Sequence, residues 1–153
     1  MKDLPLSEIT LRKYEHPRGL ERRELVRKIC LSLGLLQWGD SRDIIVDILL
    51  VLIQANKNKE KISSDEIGKR VEMIRKKYSL DVRGLAESNI RRQLKRLSDK
   101  LLIDRRENNY YLREHLSLKE IFEDIVEKFV IPQIIARVKE YLGELDKEDQ
   151  NKN

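Results

Sequence analysis

Ala86-Glu87-Ser88-Asn89-Ile90-Arg91-Arg92-Gln93-Leu94-Lys95-Arg96-Leu97-Ser98-Asp99-Lys100-Leu101 reads as one amphipathic helix. Ile90, Leu94, Leu97 and Leu101 recur at helical spacing and, projected at about 100° per residue, fall within about 40° of Ile90. Ser88, Arg92, Lys95 and Asp99 fall on the opposite side, flanked by Asn89, Arg91 and Arg96. The pattern predicts a rod with its aliphatic residues turned inward and a cationic face in solvent.

Upstream, the loop Ser79 to Gly84 follows a second amphipathic segment with the stripe Ile67, Val71, Ile74 and Tyr78. Ser63 and Glu66 stand at capping-box spacing at its start, and Lys61-Ile62 is a short strand candidate before it. Ile44, Ile45, Ile48, Leu49, Leu52 and Ile53 form an apolar face so broad that it marks a central core helix, with an N-cap candidate in Gly39-Asp40-Ser41. Leu25, Ile29 and Leu33 recur every four residues in a first helix from Leu20, closed by Gly34. Residues 1–18, with Pro5 and Pro17 and the alternating stretch Ile9 to Tyr14, read as an extended arm.

Downstream, Leu102-Ile103 and Tyr110-Tyr111-Leu112 are short β-prone runs around the polar tip Arg105-Arg106-Glu107-Asn108-Asn109, a two-stranded hairpin. Ser117 and Glu120 form a second capping box that opens a long helix through about Leu145. Its seam is Leu118, Phe122, Ile125 and Phe129, resuming as Ile131, Ile135, Val138, Leu142 and Leu145, with a kink expected at Pro132. The last residues, 146–153, contain no apolar side chain and are expected to be disordered.

A core helix, a capped helix, a short loop, a second amphipathic helix and a hairpin with a basic tip, over residues 41–113, resemble the winged helix-turn-helix family. Within it, the chain is similar to the dimeric prokaryotic repressors that add a C-terminal helix. The resemblance implies a mainly α fold with Ala86 to Leu101 as the recognition helix and Ile103 to Leu112 as the wing. The domain expectation is then an arm at 1–18, a winged helix domain with an extra N-terminal helix at 19–113, a dimerisation helix at 114–145 and the tail.

A helix in the major groove needs short polar side chains toward base edges and cations toward phosphates. Ser88, Asn89 and Arg92 are expected at the bases; Arg91, Lys95 and Arg96 at phosphates; Arg105 and Arg106 on the flanking backbone. Arg83, with Lys69, Arg70, Lys76 and Lys77, extends the footprint. Charge placement agrees with a polyanionic partner: the chain is at +5 overall, and residues 83–113 hold nine basic and four acidic residues while 114–153 hold six and ten. The long helix, about 28 residues and so about 42 Å, exceeds what a small domain covers. Phe122, Ile125, Phe129, Ile135, Val138 and Leu142 are therefore expected at a homodimer interface. The expected function is sequence-specific binding of double-stranded DNA by a homodimeric transcriptional regulator. The competing expectation is a winged helix adaptor between proteins in a transcription, replication or division complex, since fold alone does not decide function.

Other classes find little support. With 40% apolar and 39% charged residues the chain reads as globular, and its longest apolar run, Ile44 to Ile53, is broken by Asp47 and too short for a bilayer. Met1-Lys2-Asp3-Leu4-Pro5 does not read as a secretory signal, so a cytoplasmic protein is expected. One cysteine, Cys30, expected buried, and two distant histidines, His16 and His115, expected at the surface, match no metal spacing. No phosphate loop or catalytic constellation stands out, so neither an enzyme nor a cofactor is expected. Trp38 is expected to be a packing anchor. The Lys, Glu and Ile content points to a heat-adapted, archaeal or thermophilic source.

Overall fold

The computed structural model describes residues 3–152; Met1 and Lys2 of the arm and Asn153 of the tail lie outside it. The elements are α1 (Arg22–Ser32), α2 (Ile44–Asn56), β1 (Ile62–Ser63), α3 (Ser64–Lys77), α4 (Glu87–Asp99), β2 (Ile103–Arg106) and β3 (Asn109–Leu112). A 3-10 turn (Arg113–His115) leads into α5 (Leu118–Ile121), nine residues of π-helix (Phe122–Val130) and α6 (Ile131–Asn151). The fold is mainly helical with one small antiparallel sheet in the order β1-β3-β2. Among the described residues no helix is long and apolar enough to cross a membrane.

α2 is the centre because it is apolar almost all round: Ile44, Ile45, Val46, Ile48, Leu49, Val51, Leu52 and Ala55 are buried. It packs on α1, α3, α4 and β3. Ile67 and Val71 of α3 and Ile90, Leu94 and Leu97 of α4 close over it. Ile103 pairs with Leu112 in the hairpin, and Ile62 pairs with Tyr110, which draws the start of α3 against the sheet. All four of these side chains are buried.

Charge also binds the body together. Asp47, in the first turn of the apolar α2, is 0% exposed and accepts from Arg75 Nη1 at 2.6 Å and Arg23 Nε at 2.9 Å. Asp43, which occupies the N-cap position of α2, accepts from Arg75 at 3.0 Å, Arg27 at 2.9 Å and Arg23 at 3.1 Å. Burial pushes the Asp43 carboxyl up, but the bonds and charges of Arg75 and Arg23 outweigh it and hold the group below its ordinary value. Three arginines and two aspartates thus clamp α1, α2 and α3 where their ends meet.

Several expectations are corrected. The core face of α1 is Val26, Cys30 and Leu31, while Leu25 stays 38% exposed and Ile29 and Leu33 are only partly buried. The stripe of α3 turns to Arg75, leaving Tyr78 exposed at the helix end, because the buried carboxylates of α2 attract the guanidinium. Ser41 does not cap α2; Asp43 stands there, with its side chain committed to the arginines. Leu101 lies past the end of α4 at φ 65°, and Leu102 takes the core position instead. Trp38 is 70% exposed, with the Arg12 guanidinium 5.0 Å above its ring. His115 is half-buried and stacks on Tyr111.

The arm is docked along the body. Arg12 donates to the carbonyls of Leu31 and Leu36 at 2.9 and 3.2 Å, satisfying acceptors at and beyond the end of α1. Thr10 presses on Gly34, where φ is +74° and an added Cβ would lie 2.7 Å from the Thr10 Cβ. At the other end of the chain, the helix runs on to Asn151, so the expected disordered tail is corrected over its described part: a turn without apolar residues is sustained by helix-favouring side chains such as Lys147, which pairs with Glu144 at 3.4 Å. Pro132 lacks a donor in the first turn of α6, and the preceding nine residues widen to π winding.

Candidate nucleic-acid interface

α4 forms because its buried and exposed residues alternate at helical period, and it is tilted into place by the turn before it. Gly84, at φ +85°, sits so close to α2 that an added Cβ would come within 2.9 Å of Ile44 Cδ1. Arg75 Nε donates to the Asp81 carbonyl, so the buried ion cluster also holds this turn. Asp81 in turn accepts from the Arg83 backbone N–H at 2.8 Å and pairs with its guanidinium at 2.6 Å, which lowers its pKa to about 2.

Ser88, Arg91, Arg92 and Lys95 are exposed together on the outer face of α4. Arg91 pairs with Glu87 at 2.8 Å and Lys95 with Asp99 at 3.2 Å, each one helical turn away. Such exposed pairs are worth only about 0.3–0.5 kcal/mol, so either cation exchanges its carboxylate for another anion at small cost. Among the described residues, Arg92 and Arg106 make no ion pair; Arg92 Nη2 donates to Asn89 Oδ1 at 2.8 Å.

Two residues expected to reach DNA are turned to other work. Asn89 is half-buried, its Nδ2 donating to the Gly84 carbonyl at 2.7 Å and its Oδ1 accepting from Arg92 and Gln93. Both ends of its amide are therefore committed to the helix entry. Arg96 is half-buried and donates to the Leu35 carbonyl, tying α4 to the start of the α1–α2 connection, where an apolar approach leaves a backbone acceptor to be satisfied. Lys69, Arg70 and Lys76 are all paired with acidic residues of their own neighbourhood. Arg83 is held by Asp81.

The hairpin turns at Glu107-Asn108, with Glu107 at φ 58°, so Arg105 and Arg106 lie in β2 and not in the tip. Successive strand residues point to opposite faces, and no single flat surface takes both. Arg105 donates to the Glu107 carbonyl at 2.6 Å and leaves Arg106 the freer cation. The turn is nevertheless brought to the start of α4. The buried Ser64 Oγ lies 3.2 Å from both Glu87 Oε1 and Asn108 Oδ1; its single proton serves one of these acceptors at a time, and the hydroxyl marks the point where α3, the start of α4 and the hairpin tip meet.

Beside the N-terminal half of α4 opens a cleft of about 580 Å³, lined by Arg42, Ser88, Arg92 and Arg96 with Asp40 at its edge. Arg42, in the connection before α2, joins the site only through the tertiary fold; nothing in its sequence neighbourhood marks it. The seam of the C-terminal helix is open. Ile121 and Val126 are buried in the body, whereas Phe129, Ile135, Val138, Leu142 and Leu145 are exposed and α6 has no buried residue.

No family model, curated protein or solved structure matches this chain. Its function is therefore argued from its own geometry.

Proposed function

We propose that this chain binds double-stranded DNA as a homodimer, without catalysis, through a winged helix-turn-helix unit, and that it regulates transcription. In this reading α3 and α4 are the paired helices, α4 enters the major groove, and β2 and β3 are the wing. The order α2-β1-α3-α4-β2-β3 and the sheet order β1-β3-β2 support the assignment. The observation that carries it is the placement of Ser64, whose hydroxyl stands 3.2 Å from both the hairpin tip and the start of α4, a helix whose outer face carries Arg91, Arg92 and Lys95.

A rod of 13 residues is about 20 Å long and fits a groove about 12 Å wide. Ser88 and Arg92 take the base-facing role, and Arg42, Arg91, Lys95 and Arg106 the phosphates. Asn89 and Arg96 act as positioning residues. The exposed seam of α6 pairs the two copies.

The adaptor reading has one observation in its favour: Glu87 and Asp99 lie on the same face and pair with Arg91 and Lys95, as they would on a surface meeting a protein of mixed charge. A salt titration of duplex binding separates the two. For DNA binding, log K falls against log salt by about 0.9 per phosphate neutralised; Arg106→Ala weakens binding and flattens the slope by about one such step, and Arg92→Ala weakens binding and relaxes the sequence preference. Affinity independent of salt, or unchanged in both variants, refutes the DNA reading and leaves the adaptor.

A further inference from the structure

A cavity of about 230 Å³ opens where the connection before α2 meets the turn before α4, lined by Ser41, Arg42, Ile44, Arg75, Asp81 and Arg83. Its chemistry differs from that of the larger cleft, about 500 Å³, at the foot of the long helix, whose walls include Leu25, Ile29, Leu33, Leu118 and Phe122. Three arginines and one aspartate line the smaller space.

Each of these arginines keeps a donor without a partner among the described residues. The side chain of Arg75 is only 3% exposed, and its Nε and Nη1 are engaged by the Asp81 carbonyl, Asp43 and Asp47. Its Nη2 makes no hydrogen bond there, yet it is not sealed in, since the fully enclosed side-chain atoms without partners are Asn56 Oδ1 and His115 Nδ1. The cavity is the opening that Arg75 lines. A buried donor left unmade is unfavourable until an acceptor reaches it. Arg42 is exposed and makes no ion pair among the described residues. Arg83 meets Asp81 through Nε and Nη2, which neutralises the one carboxylate of the lining and leaves Nη1 over.

The start of α2 adds to the positive field. Asp43 stands at its N-cap but makes no side-chain cap bond, because its carboxylate is committed to Arg23, Arg27 and Arg75. The first N–H groups of the helix therefore go uncapped, with Ile44 at the cavity wall. The acidic groups behind Arg75 are Asp43 and Asp47, which three guanidiniums already outnumber. Asp40, in the same connection, accepts from the Gln37 N–H.

We propose that this cavity is a phosphate-binding site, in which Arg42, Arg83 and the Nη2 of Arg75 hold the oxygens of one phosphate group. Guanidinium forks match the spaced oxygens of such an anion, a geometry that chloride does not offer. The site stands apart from the DNA reading, but Arg42 also lines the cleft beside α4. Its occupant is thus a backbone phosphate of a duplex lying there or a free phosphate. Either one ties the entry of α2 to the turn that positions α4, because Arg75 already holds the Asp81 carbonyl.

Inorganic phosphate, titrated into the full chain at constant ionic strength with chloride as the balancing anion, tests this by amide NMR and by melting. Saturable binding is expected, with shifts centred on residues 41–45 and 81–84 and a Tm that rises with phosphate. Arg42→Ala, at an exposed residue, is expected to weaken binding by about tenfold or more with an unchanged circular dichroism spectrum. Lys139→Ala on α6 removes a cation far along the chain and is expected to leave the affinity unchanged. No saturation, shifts centred elsewhere, or an Arg42→Ala affinity equal to that of the wild type overturns the site.

Duplex binding measured with and without saturating phosphate, again at constant ionic strength, separates the two sources. Competition in the wild type that is lost in Arg42→Ala supports the site with a backbone phosphate as occupant; duplex binding unaltered by bound phosphate supports it with a free one. A chain that binds phosphate but no duplex loses the DNA reading alone. One that binds duplex but no phosphate loses this site alone.

Discussion

Replacing Asp47 by Asn tests whether the buried ion cluster holds the body together and, through it, α4. Asp47 is 0% exposed and Arg75 3%, with the two 2.6 Å apart. The native cluster sets two carboxylates against three guanidiniums; Asp47→Asn leaves Asp43 alone to answer Arg23, Arg27 and Arg75. Removing one partner of a buried pair costs about 3–5 kcal/mol, because the remaining charge stays out of water without compensation. Domains are stable by about 5–15 kcal/mol, and for 150–250 residues each kcal/mol moves Tm by about 2–4 °C. The variant is therefore expected to melt roughly 6–20 °C lower, by calorimetry or circular dichroism.

The double variant Asp47→Leu with Arg75→Met supplies the internal control. Exchanging a buried pair for apolar groups of similar volume is often neutral, so it is expected to recover most of the loss. It does not restore the Arg75 bond to the Asp81 carbonyl, and amide exchange in residues 79–86 is expected to stay faster than wild type. A single variant losing less than about 1 kcal/mol, or a double variant no better than the single, would refute the reasoning.

Asp43 is held below its ordinary value of 3.8, so its contribution to stability is full well above that pH and is lost as pH falls through the lower folded value; Asp43→Asn is expected to reduce stability at pH 7 and to make acid unfolding shallower, followed by tryptophan fluorescence or circular dichroism. Cys30 is expected to resist thiol reagents at pH 8 in the native state and to react in denaturant; fast native labelling would contradict its burial. Deleting residues 131–153 is expected to abolish dimerisation while leaving the body folded, whereas deletion from Ser117 also removes the buried Ile121 and Val126 and is expected to destabilise it by several kcal/mol, as read by sedimentation and melting.

Much of the helical framework and the hairpin was legible because the determinants are local. Ser63 accepts from the Glu66 N–H, and Ser117 with Glu120 makes a full capping box, both interactions within a single turn. Ile90, Leu94 and Leu97 go inward by period alone. Legibility stopped where a residue's partner lies far along the chain. The sequence marks Arg96 as a cation for phosphate, yet it is spent on the Leu35 carbonyl, 61 residues away. Leu25, Ile29 and Leu33 recur at helical spacing yet stay partly exposed, because amphipathicity tells which face is apolar and not what covers it.

Amino-acid order by itself determined the helices, the caps, the hairpin and the cationic face of α4, since each depends on side chains within about one or two turns of one another. The tertiary structure alone decided that Arg75 is buried between two carboxylates, that Arg42 joins α4 while Asn89 and Arg96 turn away, and that an apolar cleft opens at the foot of the long helix. The reason is physical: periodicity and capping are short-range, whereas ion pairing, backbone satisfaction and cover of apolar surface depend on which elements meet, and that choice is made by the packing of the whole chain around α2.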